Sequence, residues 1–207
     1  MKRFICEQNI SHFQKLLTES SDPVLRRTLE KLLASAKREL AILNSETMGA
    51  DSFPPTLWRN RTLDAELIRR RLQVEFRKSP HPYMLIDPGP GLKIIDINDA
   101  YEAATFVRRR DVIGRPLFDV FPDNPSLEEA DGVDNLYQSL AMVVKTGQPH
   151  AMAVQRYDIR TPAGEFIERH WQPINTPIHD GDSHLIALLH HIEDVTVLRQ
   201  LSRGPQR

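Results

Sequence analysis

The stretch YMLIDPGPGLKIIDIN, residues 83–98, decides the fold class. Residues 83–87 and 93–97 are short apolar runs, and Pro88-Gly89-Pro90-Gly91 between them is a strong turn signal. Apolar runs of that length bounded by Pro and Gly read as strands, and a break this short joins them as a hairpin. Asn98 follows the second strand and precedes a helix, where its side chain can satisfy backbone groups at the turn.

Toward the C-terminus, turn-rich segments run to Pro125. They include Gly114, which ahead of Arg115-Pro116 suits a backbone position that a side chain would obstruct. Residues 133–146 read as a helix, with Val133, Leu136, Leu140 and Val143 or Val144 on one face and Gly147 as its stop. Three strands follow at 151–159, 166–174 and 185–192, separated by Thr161-Pro162-Ala163-Gly164 and His179-Asp180-Gly181-Asp182. Trp171, Pro173 and Ile174 break the alternation of the middle strand, leaving open which of its faces is inward. The order predicts an α+β fold, an antiparallel sheet with helices on one face.

Toward the N-terminus the pattern is helical. Ser11 and Gln14 fit a capping box for a short helix carrying Phe13, Leu16 and Leu17. Asp22-Pro23 starts a longer helix whose Leu25, Leu29, Leu32, Ala36, Leu40 and Leu43 form one apolar stripe. This hairpin, residues 1–46, is too small to bury its stripe alone and must pack on something. Residues 47–61 read as a linker with Phe53, Leu57 and Trp58 as anchors. Residues 62–79 carry a further helix, about 64–77, with Leu63, Leu67, Ile68 and Leu72 on one side. The Arg69-Arg70-Arg71 run lies among Asp64, Glu66 and Glu75 and reads as a solvated face.

Composition narrows the function. The 207 residues carry 27 Lys plus Arg against 28 Asp plus Glu, a net charge of -1 that argues against a nucleic-acid binder. That total hides a division. Residues 1–79 hold 15 basic and 10 acidic side chains and the remainder hold 12 and 18, so the two parts attract. The longest apolar run is residues 185–189, far short of a membrane span, and no signal peptide is legible. The single cysteine, Cys6, excludes an intrachain disulfide and four-cysteine zinc frameworks. A cytoplasmic protein without membrane or nucleic-acid contact is expected.

Several pieces together resemble the PAS domain family: Tyr83-Met84-Leu85-Ile86-Asp87, Ile94-Ile95-Asp96-Ile97-Asn98-Asp99-Ala100-Tyr101, Asp111-Val112-Ile113-Gly114-Arg115-Pro116-Leu117-Phe118, and Ile192-Glu193-Asp194-Val195-Thr196. The resemblance implies a five-stranded antiparallel sheet over residues 80–196 and a C-terminal tail over 197–207. It also implies a ligand pocket between helices and sheet, lined here by Leu136, Leu140, Met152, Val154, Trp171 and Leu188. The same residues would equally serve as packed core. Asp194 and Thr196 are placed to cap a helix from Val197 onward, where strand motion would reach it. The family commonly dimerises through a helix preceding the first strand. That makes Leu63, Leu67, Ile68 and Leu72, with Leu25, Leu29, Leu32 and Leu40, the candidate dimer or partner contacts.

The family variously binds haem, flavin or small metabolites, and the cofactor here is left open. Light-sensing members use a cysteine within the domain, whereas Cys6 lies outside it, which excludes that photochemistry. Oxygen-sensing members ligate haem from a histidine on the long helix, and residues 133–146 contain none, although Tyr137 and Met142 lie there. Seven of the eight histidines follow Ser79. Adjacent His190 and His191 point to opposite faces of a strand, so His179, His184 and His190 read as solvated or structural rather than as a metal site. There is no Gly-x-Ser-x-Gly elbow and no phosphate-binding glycine motif. The expectation is a non-catalytic signalling module without its own effector domain, acting through a ligand or a signalling partner, as a homodimer. The alternatives are a haem or metabolite sensor, a transcriptional regulator resting on the arginine runs at 69–71 and 108–110, and a metal-dependent enzyme.

Overall fold

The structure, a computed structural model, describes residues 1–48, 70–71, 74 and 76–202. Phe53, Leu57, Trp58, Leu63, Leu67, Ile68 and Leu72 lie outside the described residues, as do the linker from residue 49 and the tail from residue 203. Arg70, Arg71, Val74, Phe76 and Arg77 are helical.

Strand β1 (Tyr83–Ile86) pairs antiparallel with β2 (Ile94–Ile97) on one side and with β8 (Leu185–Asp194) on the other. Beyond β8 lies β7 (His170–His179). Its far edge carries both β3 (His150–Ala151) and β4 (Gln155–Arg156), giving a six-stranded antiparallel sheet. A separate hairpin joins β5 (Ile159–Arg160) to β6 (Phe166–Ile167). The single strand expected at 151–159 is thus broken, and Pro173 supplies the reason. Its carbonyl accepts from the Met152 N–H at 2.9 Å, but proline has no N–H to return. Ala151 pairs with Ile174 while Gln155 pairs with Trp171, so one extra residue on the edge side forms a bulge.

Short helices α3 (Asp99–Thr105), α4 (Arg109–Val112) and α5 (Leu117–Val120) follow β2, and α6 (Gly132–Thr146) crosses the sheet before β3. Val133, Leu136, Leu140, Val143 and Val144 of α6 face the sheet, and Gly147 ends the helix at φ +65 with its N–H on the Val143 carbonyl. Alternation sorts the strands. Met84 and Ile86 point to this main core, and Leu85 points to a smaller cluster on the opposite face with Phe76 and Ala187. Helical residues therefore cover part of the second face as well, through Phe76.

Helix α1 (Lys2–Glu19) begins well before the expected Ser11 cap, so Ser11 and Gln14 are interior to it. Cys6, Ile10, Phe13 and Leu17, spaced by four, three and four, form its less exposed side, which extends the stripe back past Ser11. Helix α2 (Pro23–Glu46) starts as expected, with Asp22 Oδ1 accepting from the Val24 N–H at 2.9 Å. It packs between α1 and α6. Its Ala41, with Met48 just beyond it, belongs to the main core, Leu29 is buried, Leu40 is half-buried, and Leu25 and Leu32 are exposed. The hairpin is docked on the domain rather than held away from it. The opposite charges of the two parts meet where Arg38 binds Asp123 and Lys31 binds Glu128.

Candidate functional site

Between α6, the short helices and the inner face of the sheet lies a cavity of about 50 Å³. Its wall is largely carbon: Leu136 from α6, Met84 and Ile192 from the sheet, Met152 at the bulge, and the rings of Tyr101, Tyr157 and Trp171. Burial pushes the Tyr101 and Tyr157 phenols well above their ordinary values, so both remain neutral. The Tyr157 hydroxyl donates to the Phe121 carbonyl, and the Trp171 Nε1–H donates to the Tyr157 carbonyl at 2.8 Å.

One imidazole breaks the apolar wall. His190 is buried in β8 and its Nδ1 lies 2.6 Å from Asn175 Oδ1. Asn175 Nδ2 donates to Ser139 Oγ at 2.7 Å, and Ser139 Oγ lies 2.7 Å from His150 Nδ1. These contacts are mutually consistent when His190 Nδ1 carries the proton and the Ser139 hydroxyl donates to His150. Nε2 is then the acceptor that the His190 ring has left. Burial, helped by neighbouring His191, lowers the His190 pKa to about 3, so the ring is neutral at physiological pH.

The cavity wall is linked to the N-terminal hairpin through Asp123. A Cβ on Gly132 would stand 2.2 Å from Tyr157 Cδ2 and 3.0 Å from Asp123 Oδ1, so the helix start and the Tyr157 ring touch as only glycine permits. Asp123 Oδ1 accepts from the Val133 N–H at 3.1 Å, and Asp123 Oδ2 accepts from Arg38 Nε of α2 at 2.6 Å. Arg38 Nη2 also donates to the Ala130 carbonyl at 2.6 Å.

At the sheet end, Asn98 is wholly buried and joins three segments. Its Oδ1 accepts from Tyr101 N–H at 2.9 Å and Tyr83 N–H at 3.0 Å. Its Nδ2 donates to the carbonyls of Phe76, Ser79 and His81 at 3.0, 3.3 and 2.7 Å. Asp194 Oδ1 accepts from the Thr196 N–H at 2.9 Å at the start of α7 (Thr196–Ser202). Thr196 is itself the first helical residue rather than a cap, and its Oγ1 accepts from the His170 N–H at 2.9 Å, fixing the helix to β7. At Gly114 no close approach among the described residues selects glycine: a Cβ there meets none of them within 4 Å, and the requirement is its φ of +79.

Of the residues expected at the pocket, Leu136, Met152 and Trp171 line the cavity, while Leu140 and Leu188 are buried in the surrounding core. Val154 is half-buried and off the wall, because the bulge moves Gln155 into the place that strict alternation would give it. Tyr101, Tyr157 and His190 escaped the sequence reading. Alternation from Leu188 to Ile192 was the signal that puts His190 inward. Of the arginine run at 108–110, Arg109 is engaged by buried Asp96, with Nη2 3.0 Å from Oδ2.

The sequence model described as the PAS fold matches residues 76–200, more than half of the chain. The chain belongs to the PAS fold family. PAS domains are a common sensory and signalling module. Among solved structures it is similar to a PAS domain from Colwellia psychrerythraea, at 14% identity over 63% of this chain and 98% of that one, with a TM-score of 0.46. The PAS domain of the fruit-fly ELK potassium channel is 12% identical over 66% and 99%, with a TM-score of 0.45. The Rhodobacter sphaeroides LOV protein is 12% identical over 62% and 67%, with a TM-score of 0.48. No curated protein matches the chain in sequence. Among the described residues, no helix is long and apolar enough to cross a membrane.

The cavity of this PAS domain does not fit the larger groups its family carries. Its roughly 50 Å³ falls far below the ~300–1,000 Å³ of ordinary cofactor sites. Cys6, the only cysteine, sits in α1 outside the cavity wall.

Proposed function

We propose that the protein is a cytoplasmic, non-catalytic sensory module in which a small, mostly apolar ligand in the cavity changes how the α1–α2 hairpin sits on the domain. One observation carries the reading. The Tyr157 ring is a wall of the cavity and also abuts Gly132, beside the Asp123 carboxylate that holds Arg38 of α2. A close-packed wall transmits displacement rather than absorbing it. A ligand larger than one or two waters must move side chains to enter, and Tyr157 has no free space toward Gly132. His190 Nε2 favours a ligand with a single hydrogen-bond donor.

The output is a protein contact. Phe4 and Ile5 of α1 and Leu25 and Leu32 of α2 are exposed apolar residues on the hairpin that the cavity would move, and they suit a signalling partner. Homodimerisation through residues 62–79 completes the proposal. The test is a titration of small phenols, alcohols and amides followed at the Trp171 indole N–H resonance. Saturable shifts that disappear in Leu136→Phe, which fills the cavity, support ligand sensing. A silent Trp171 across the panel, with partner binding intact, replaces it with a ligand-free adaptor.

A further inference from the structure

On the face of the sheet opposite the cavity, three potential ligands meet, one from the segment before β1 and two from β8. Tyr83 of β1 stands opposite His191 of β8, and the Ile192 N–H donates to the Pro82 carbonyl at 3.3 Å, so the pairing runs on toward the chain start. Carried two residues further, that register sets His81 opposite Glu193. His191 and Glu193, two apart on one strand, share a face. Their ligand atoms and that of His81 all lie within 4.8 Å of one another, with His191 Nε2 3.9 Å from Glu193 Oε1.

We propose that His81, His191 and Glu193 bind a divalent transition-metal ion of the zinc class. Two imidazoles and one carboxylate are a donor set that such ions take, with an open position left for water or a further ligand. A second observation points the same way. His191 Nε2 is shielded from solvent and has no hydrogen-bond partner among the described residues, a situation that buried ring nitrogens rarely tolerate. A metal would supply the missing partner. Ligand atoms around zinc sit about 3.3 Å apart, given metal–nitrogen bonds of about 2.0–2.1 Å. The group must therefore contract by up to about 1.5 Å at its widest, which exposed His81 and Glu193 are free to do. The supports are built. Asn98 Nδ2 holds the His81 carbonyl at 2.7 Å, and the Tyr83 ring stands 4.9 Å from the His191 ring.

The site has a consequence that does not rest on the cavity reading. It would tie the segment before β1 to the end of β8, one residue before the Asp194 that starts α7. Metal would then clamp the place where the chain leaves the sheet.

The experiment uses the full chain, stripped with chelator and exchanged into chelator-free buffer. It is titrated with Zn²⁺ against a chromophoric competitor and with Co²⁺ for its ligand-field spectrum. One equivalent is expected to bind with a tetrahedral or five-coordinate cobalt spectrum. His81→Ala and Glu193→Gln, both at exposed positions, should each weaken binding by about 100-fold or more. His150→Ala and His179→Ala should leave it unchanged. Absence of a stoichiometric site, or equal affinity in His81→Ala, Glu193→Gln and the parent, overturns the proposal.

Discussion

Arg38 Nε and Asp123 Oδ2 stand 2.6 Å apart, the Asp123 side chain is 4% exposed, and the pair joins α2 to the residues that open α6. A carboxylate this buried is tolerable because it is paired and also accepts the Val133 N–H. Arg38→Met is expected to destabilise the protein by about 3 kcal/mol, since it strands a buried charge. Asp123→Asn in the same background should recover part of that loss. Denaturant unfolding of the four proteins of the cycle measures the coupling, and strict additivity would mean that the pair holds nothing.

Gly132→Ala reverses the usual helix rule. Alanine normally favours a helix over glycine, but here its Cβ meets the Tyr157 ring at 2.2 and 2.6 Å. The substitution should cost about 1–3 kcal/mol by overpacking, and Tyr157→Leu should relieve it. Thermal melts of the single and double variants decide the point.

Asn98 is predicted to reject its nearest relative. Asp in its place keeps the acceptor for Tyr83 and Tyr101 but turns a lone pair toward the carbonyls of Phe76, Ser79 and His81. Asn98→Asp should cost about 3 kcal/mol or more. Hydrogen exchange should rise over residues 76–83 while α3 stays protected.

Stability should fall on acidification because of His190. An unfolded histidine takes up a proton near pH 6.5, whereas folded His190 does so only near about 3, so between these values the unfolded state binds more protons. Tyr101 and Asn175, which face the ring from α3 and β7, carry no charge to offset this, and neighbouring His191 adds repulsion. The loss approaches about 1.4 kcal/mol per pH unit in that window. His190→Gln, measured with chelator present, should flatten the acid limb of the stability curve.

The sequence patterns carried the fold because each main element announces itself locally. The turn at 88–91, the α6 face ending at Gly147 and the Asp22-Pro23 start are all short-range chemistry. What escaped depends on partners distant in sequence. The edge-strand bulge comes from Pro173 lying opposite Met152, and it is the bulge that exchanges Val154 for Gln155 at the cavity. The early start of α1 depends on α2 covering its Cys6 side. The orientation of His190 was readable from alternation, but its polar chain to His150 needs Asn175 and Ser139 brought together from separate elements.

Hydrogen–deuterium exchange across α2 shows whether the cavity and the hairpin move together. The full chain would be measured free and saturated with a compound that shifts the Trp171 indole resonance. Exchange should change at the Ala41 end of α2 together with the cavity wall, and the α2 response should be lost in Arg38→Met. A response confined to the cavity wall, with α2 unaltered, would contradict this coupling.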